Sequence, residues 1–283
     1  MGISVIATPA ARPLPVRLPG GIGLWCWGGV LGLIVALCYL GPLVLPLPSP
    51  DATDFGNVLA PIGTAGHLLG TDSLGRDLLS RCLYGGRVSL AVSVGAVCLG
   101  LVVGGGLGII AGYRGGWVDA VISRGLDVLF AFPGLVLALT VASYLGPSVR
   151  NVTLAIAFYT VPAYARMARA GTLRVRTQNF VRAAEMFGAR GFYIGTRHIL
   201  PNVLFLMLTY ALVLIGIAMV IEASLSFLGL GVPPPQPSWG QLIAMGKQDI
   251  SDAPHIALVP GAFLFLTITA FNRLGDVLQT RYG

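Results

Sequence analysis

Residues 203–227 read Val203-Leu-Phe-Leu-Met-Leu-Thr-Tyr-Ala-Leu-Val-Leu-Ile-Gly-Ile-Ala-Met-Val-Ile-Glu-Ala-Ser-Leu-Ser-Phe227, twenty-five positions that carry one charge, Glu222. A helix crossing a hydrocarbon core ~30 Å thick needs about 20 apolar residues, and this stretch supplies them. A carboxylate inside such a run costs roughly 2.5–3.5 kcal/mol on insertion scales, so it belongs inside a bundle. Two readings of Glu222 stand: a pathway or gate residue, or a structural contact near the outer end of the span. Five further apolar runs flank this one, at about 24–46, 89–112, 121–145, 152–165 and 256–271. The run at 152–165 rises only ~21 Å, so its helix must continue into Arg166 and beyond. The expectation is an all-α polytopic membrane protein with six transmembrane helices.

Composition supports the same class. Of 283 residues, 55% are hydrophobic and 10% charged, with a mean hydropathy of +0.82. A soluble domain carries about a quarter charged residues, so a cytosolic enzyme is excluded. The cysteines, at 26, 38, 82 and 98, form no Cys-x-x-Cys pair and are expected to be buried, reduced thiols. The net charge of +7 comes from seventeen arginines and one lysine. With the N-terminus inside, thirteen of these eighteen fall on inner segments and five outside (Arg76, Arg81, Arg87, Arg150 and Lys247). The positive-inside rule then places both termini in the cytoplasm, and the basic balance reads as cytoplasmic loops rather than nucleic-acid binding. The organisation expected is a cytoplasmic tail (1–23), a first span (24–46), an external loop (47–87), a five-helix core (88–275) and a cytoplasmic tail (276–283).

Two connecting segments are long. In the external one, Asp72 or Ser73 can cap a helix that places Leu74, Leu78, Cys82 and Leu83 on one face, with Arg76, Asp77, Ser80 and Arg81 elsewhere. This predicts an amphipathic helix on the outer membrane surface or against the bundle, broken by Gly85-Gly86. It is either a connector or a part of gating and docking. The cytoplasmic segment, 166–202, holds seven arginines and one acid, Glu185. A solvated basic loop is one reading of it. However, Phe180, Val181, Ala184 and Phe187 follow helical spacing, and Gly188 interrupts that helix. An apolar face presented outside the bilayer calls for a protein partner.

Within that segment, Ala183-Ala184, Gly188 and His198-Ile-Leu-Pro201-Asn202 resemble the EAA loop of bacterial ABC importer permeases, with Arg182 where the family places Glu. Residues 67–90, with Gly70-Thr-Asp-Ser-Leu-Gly-Arg-Asp-Leu-Leu-Ser-Arg81 and Tyr84-Gly-Gly-Arg87, resemble the N-terminal signature of peptide and nickel permeases. Glu222-Ala-Ser-Leu-Ser-Phe-Leu-Gly-Leu-Gly231 and Pro237-Ser-Trp-Gly240 resemble their second signature. Together these make the chain similar to C-type permease subunits of dipeptide/oligopeptide ABC transporters. The resemblance implies the type I ABC importer permease fold in the bacterial cytoplasmic (inner) membrane. The implied partners are a B-type permease as heterodimer mate, two ATPase subunits or one fused ATPase, and an extracytoplasmic substrate-binding protein. It also implies that Phe180, Arg182, Ala183, Ala184, Phe187, Gly188, His198 and Pro201 form the coupling loop to the ATPase. Peptides are the implied cargo, with nickel or another small solute as alternatives.

The chain carries no G-x-x-x-x-G-K-[ST] loop, and Gly104-Gly-Gly106 sits in an apolar span where helix packing explains it. No cofactor is therefore expected in this chain, and the resemblance assigns ATP and Mg to the partner ATPases. Three scattered histidines offer no metal constellation, and no catalytic residues are expected. Arg124 and Asp127, at i and i+3, are positioned to pair on one helix. A stand-alone secondary transporter would need several mid-membrane charges, and an intramembrane protease a Ser/His or paired-Asp arrangement; the spans supply neither.

Overall fold

The computed structural model describes residues 20–282, with side-chain surroundings for 23–280; most of the expected N-terminal tail, including Arg12 and Arg17, and the Arg281 side chain lie outside them. Every regular element among the described residues is helical, as a lipid environment requires when backbone groups must pair within their own segment. The elements are α1 (Gly20–Val44), α2 (Leu78–Leu99), α3 (Gly105–Arg114), α4 (Gly116–Phe130), α5 (Gly134–Leu145), α6 (Val149–Arg176), α7 (Asn179–Met186), α8 (Gly191–Ile194), α9 (Leu200–Phe227), α10 (Trp239–Gly246) and α11 (His255–Tyr282). A π-helical turn, Gly100–Gly104, joins α2 to α3, and a second, Gly195–Ile199, joins α8 to α9.

Among the described residues, four helical stretches are long and apolar enough to cross a membrane: Gly23–Val44, Leu78–Arg114, Gly191–Phe227 and His255–Thr280. A fifth span appears if α4 and α5 are taken together, and the sixth expected run lies in the more polar helix α6. The run at 121–145 is two helices meeting at 87°. Pro133 explains the elbow, because proline lacks the helical N–H and disfavours helical geometry at the residue before it. The run at 152–165 lies in α6, which extends well past Arg166 as expected. The arginines at 166, 169, 174 and 176 keep that helix less apolar than the others.

Helix α9 packs against α2, α6, α10 and α11, while α1 lies against α2 and α11. The segment from the first π turn through α3 runs along α6 in the most extensive helix contact among the described residues. Gly100, Gly104, Gly108 and Gly112 form the contact stripe. A Cβ at Gly104 would overlap the Val161 carbonyl oxygen, and one at Gly108 the Ala165 carbonyl oxygen. Small residues every fourth position let two backbones touch where hydrophobic burial gives no driving force. Thr160 adds a hydrogen bond to the Ala96 carbonyl at 3.0 Å. Of the triple glycine, Gly104 and Gly105 are packing positions, as expected, whereas Gly106 faces open space.

The segment expected to be external differs in structure from its expectation. Residues 45–77 fold into a cap with a 3-10 turn at Phe55–Asn57 and isolated bridges Thr53–Arg76, Thr64–His67 and Thr71–Asp77. The helix begins at Leu78, N-capped by Asp77, and passes through Gly85-Gly86 without a break. Leu78, Cys82 and Leu83 are buried against the bundle, but the polar residues Asp72, Arg76, Asp77, Ser80 and Arg81 are buried as well, and Leu74 is exposed. Burial is tolerable because the charges find partners. Arg76 Nε donates to Asp72 Oδ2 at 2.7 Å, and Arg81 Nη1 donates to the Pro50 carbonyl at 2.9 Å. Gly75, at φ +72°, brings its turn so close to the Asp54 backbone that no side chain fits. Two further expectations change. Asp127 pairs with Arg166 at 2.9 Å rather than with Arg124, because the facing helix α6 offers the better-placed guanidinium. All four cysteines are free, but only Cys38 and Cys82 are buried.

Candidate functional site

The segment expected on the cytoplasmic side is built on the end of α6. The chain turns at Thr177-Gln178 and enters α7, where Val181 is fully buried and Ala184 packs against the core of the bundle. The helix ends in a Schellman motif: Gly188 N–H donates to the Glu185 carbonyl and Ala189 N–H to the Ala184 carbonyl, both at 3.0 Å. Gly188, at φ +79°, supplies the left-handed residue that the motif needs. Ala189 also packs against the core, so the C-terminal side of α7 is pinned from below.

This pinning divides the predicted apolar face. Val181 and Ala184 turn inward, and Phe180 is half exposed with its ring centroid 6.1 Å from His198. Tyr193 closes on His198 from another side at 5.7 Å. Phe187 points away from the bundle at 92% exposure, joined by Met186 at 89%, and Phe192 on α8 is also exposed at 84%. Arg182 and Ala183 are exposed on α7 as well. Pro201 occupies the first turn of α9, where a missing N–H is harmless, and Asn202 Nδ2 donates to the His198 carbonyl at 2.6 Å. The sequence reading did not single out Met186 and Phe192; their signal was their place beside the glycines that end α7 and open α8.

The second constellation lies at the opposite end of α9. Glu222 is fully buried. Its Oε2 accepts from Ser89 Oγ at 3.0 Å and its Oε1 from Ser226 Oγ at 2.9 Å. Ser89 Oγ in turn accepts the Trp239 N–H at 3.1 Å, and Trp239 Nε1 donates to the Cys82 carbonyl at 2.9 Å. Ser238 caps α10 through Gln241 N–H at 3.2 Å and lies 3.4 Å from Ser226 Oγ. Gly240 is pressed onto the backbone of Ala223. Two sequence signatures far apart in the chain thus meet in a single knot joining α2, α9 and α10, with the cap seated on α2. In this conformation Glu222 is enclosed by hydroxyl donors and faces no open channel.

Above the knot, His67 bridges the cap. Its Nδ1 lies 2.9 Å from Asp77 Oδ2 and its Nε2 3.5 Å from Asp54 Oδ2. The hydrogen bond to Asp77, opposed by burial, raises the imidazole pKa above its ordinary value. Hydrogen bonds from Asn57 and the Gly56 N–H hold Asp54 below the usual carboxylate range.

Residues 104–283 match the family of binding-protein-dependent transport system inner membrane components. The glutathione transport system permease protein GsiD of Pectobacterium atrosepticum is 40% identical over 247 residues, covering 87% of this chain and 82% of that protein. The proteins of the same name from Escherichia coli O6:K15:H31 and Shigella boydii serotype 4 are each 41% identical over 247 residues, covering 87% of this chain and 81% of their own length.

Proposed function

The chain belongs to the family of binding-protein-dependent transport system inner membrane components, a permease component of an ABC transporter and not an enzyme, and on that premise we propose that it forms half of an import pathway for small peptides. Glutathione, named for the similar permeases, is itself a tripeptide, so the peptide signatures in the sequence and those relatives point to one chemical class. The pathway partner is a second permease of the B type, and an extracytoplasmic binding protein delivers the cargo. ATP and Mg are held by partner ATPases, two separate subunits or one fused. Both termini face the cytoplasm.

The observation that carries this reading is the exposed Met186-Phe187 pair at the tip of α7, with Phe192 beside it, on a helix pinned to the bundle by Val181. Large apolar side chains outside the bilayer on a rigid short helix fit a groove on a soluble subunit, here the ATPase. Movement of that subunit would then be transmitted through Val181 and Ala184 into α6 and α9. Glu222 acts in this reading as a latch holding α2, α9 and α10 together on the outer side.

The test is purification from native membranes with associated subunits, followed by uptake of labelled glutathione and dialanine into proteoliposomes. ATP-dependent uptake that requires the binding protein is the expected result. Uptake by the lone chain, driven by an ion gradient, would replace the reading with a secondary transporter. A cysteine at Arg174 should be shielded from an impermeant reagent outside, and one at Lys247 should react.

A further inference from the structure

Arg166 and Asp127 form the one ion pair among the described residues in which both side chains are more than half exposed, at 53% and 56%. Their neighbours are apolar and also open: Val128 is 62% exposed and Phe132 52%. The guanidinium carbon of Arg166 stands 3.6 Å from the centroid of the Phe130 ring, the last residue of α4. Its link to the carboxylate is one contact, Nη2 to Oδ1 at 2.9 Å. The adjacent pair, Asp119–Arg169, is different in kind. It is bidentate at 2.5 and 2.6 Å, less exposed, and braced by Ser123 at 3.1 Å.

The depth of the open pair matters. Arg166 lies seventeen residues beyond Val149, the first residue of α6, or about 26 Å along the helix axis. A hydrocarbon core is ~30 Å thick, and Arg166 directly follows the apolar run 152–165, so on the reading above the pair lies at the cytoplasmic end of α6's apolar stretch. Charges at such an end stay out of the lipid tails and meet water, headgroups or another protein surface. The bend between α4 and α5 follows Phe130, and its second arm starts at Gly134, packed directly on the Tyr159 ring nearer the middle of α6.

We infer that Arg166 and Asp127, beside the Phe130 ring at this elbow, form a transit site for the charged ends of a peptide. The carboxylate of the passing molecule takes the unused edge of the Arg166 fork, and its ammonium takes the free oxygen of Asp127. A guanidinium suits this role because its planar donors match a carboxylate two at a time. The site is neutral overall, so a zwitterion exchanges ion pairs without leaving a charge unpaired. An exposed, singly linked pair is weak enough to open and close at each passage. The inference rests on the peptide reading given above, and deepens it by naming the groups recognised at the cytoplasmic mouth of the pathway.

The experiment uses the assembled transporter in proteoliposomes, with labelled glutathione and dialanine as probes. Arg166→Gln and Asp127→Asn should each lower uptake about tenfold while ATP hydrolysis stimulated by loaded binding protein persists. Arg166→Lys should retain part of the uptake. The charge-swapped double variant, Asp127→Arg with Arg166→Asp, restores the ion pair but should not restore uptake, because the substrate charges meet their sites in the wrong order. The same swap at Asp119 and Arg169 should restore whatever the single changes there remove. Recovery of uptake by the swap at 127 and 166 would reduce that pair to a structural contact and overturn the inference alone. Absence of peptide uptake by the unaltered complex would overturn the peptide reading and this inference with it.

Discussion

Ser89 and Glu222 stand 133 positions apart in the chain, yet Ser89 Oγ donates to the Glu222 carboxylate at 3.0 Å while accepting the backbone N–H of Trp239. One hydroxyl therefore ties α2, α9 and α10 together. Its use in both directions explains why a serine, which offers one donor and spare acceptor capacity, occupies the position. Removing the carboxylate leaves two buried serine hydroxyls without their acceptor.

Glu222→Ala should lower stability in detergent by ~3 kcal/mol, the scale for a buried acceptor with two donors left unmatched. Glu222→Gln keeps the acceptor oxygen and should lose less. Thermal unfolding followed by tryptophan fluorescence checks this, since Trp239 sits in the same knot. Equal stability of all three proteins would remove the latch role.

The cap should be tighter in mild acid than in mild base. Because the Asp77 hydrogen bond raises the folded pKa of His67 above its ordinary 6.5, its contribution is complete below that value and fades as pH rises through the folded one. Asp54, held below its ordinary 3.8, contributes at every pH above that and weakens only in stronger acid. Hydrogen exchange of residues 51–76 should therefore be slower at about pH 5.5 than at about pH 8 after correction for the intrinsic rate. His67→Gln should abolish the difference.

For the ATPase dock, Ala183 is the informative position rather than Ala184. Ala184 faces this subunit's own core, so Ala184→Asp perturbs the bundle as well as any partner contact. Ala183 is exposed on α7, and Ala183→Asp places an unpaired charge in the proposed contact at a cost of several kcal/mol of association. Phe187→Ala should act in the same direction through lost apolar contact. Both proteins should unfold within about 0.5 kcal/mol of the unaltered chain while the ATPase no longer copurifies. Normal copurification would remove α7 from the interface.

Helix contact between α3 and α6 should fail at Gly104. Gly104→Ala drives a Cβ into the Val161 carbonyl, and because backbone meets backbone there, the helices must part at a cost of about 1–3 kcal/mol. Gly106, with open space around it, provides the control, and Gly106→Ala should be neutral. A melting temperature unchanged by the first substitution would contradict the packing seen here.

The sequence by itself determined the class and the short helix between α6 and α9. Unbroken apolar runs such as 203–227 admit only helices in a membrane, because no water is there to satisfy an exposed backbone. The run from Phe180 to Gly188, read with a period of 3.6, gave a short helix ending at a glycine, and that helix is present. Tertiary structure decided which way side chains turn where one segment has two surfaces to meet. Val181 and Phe187 look equivalent in a helical pattern, but one is buried under α7 and the other stands free, since the bundle lies on one side only. The segment from Asp72 to Arg81 shows the limit most clearly. Its pattern gives a polar face toward water, whereas the cap supplies the carbonyls of Pro48 and Pro50 and a network among Asp72, Arg76 and Arg81. Those partners come from some thirty positions earlier in the chain or from the turn itself, and burial of a charge becomes tolerable only when the fold brings such partners within hydrogen-bonding distance. The elbow at Pro133 is of the same kind: the proline marks a break in any helix, but its 87° angle is set by where α6 holds Phe130 and Gly134, through Arg166 and Tyr159.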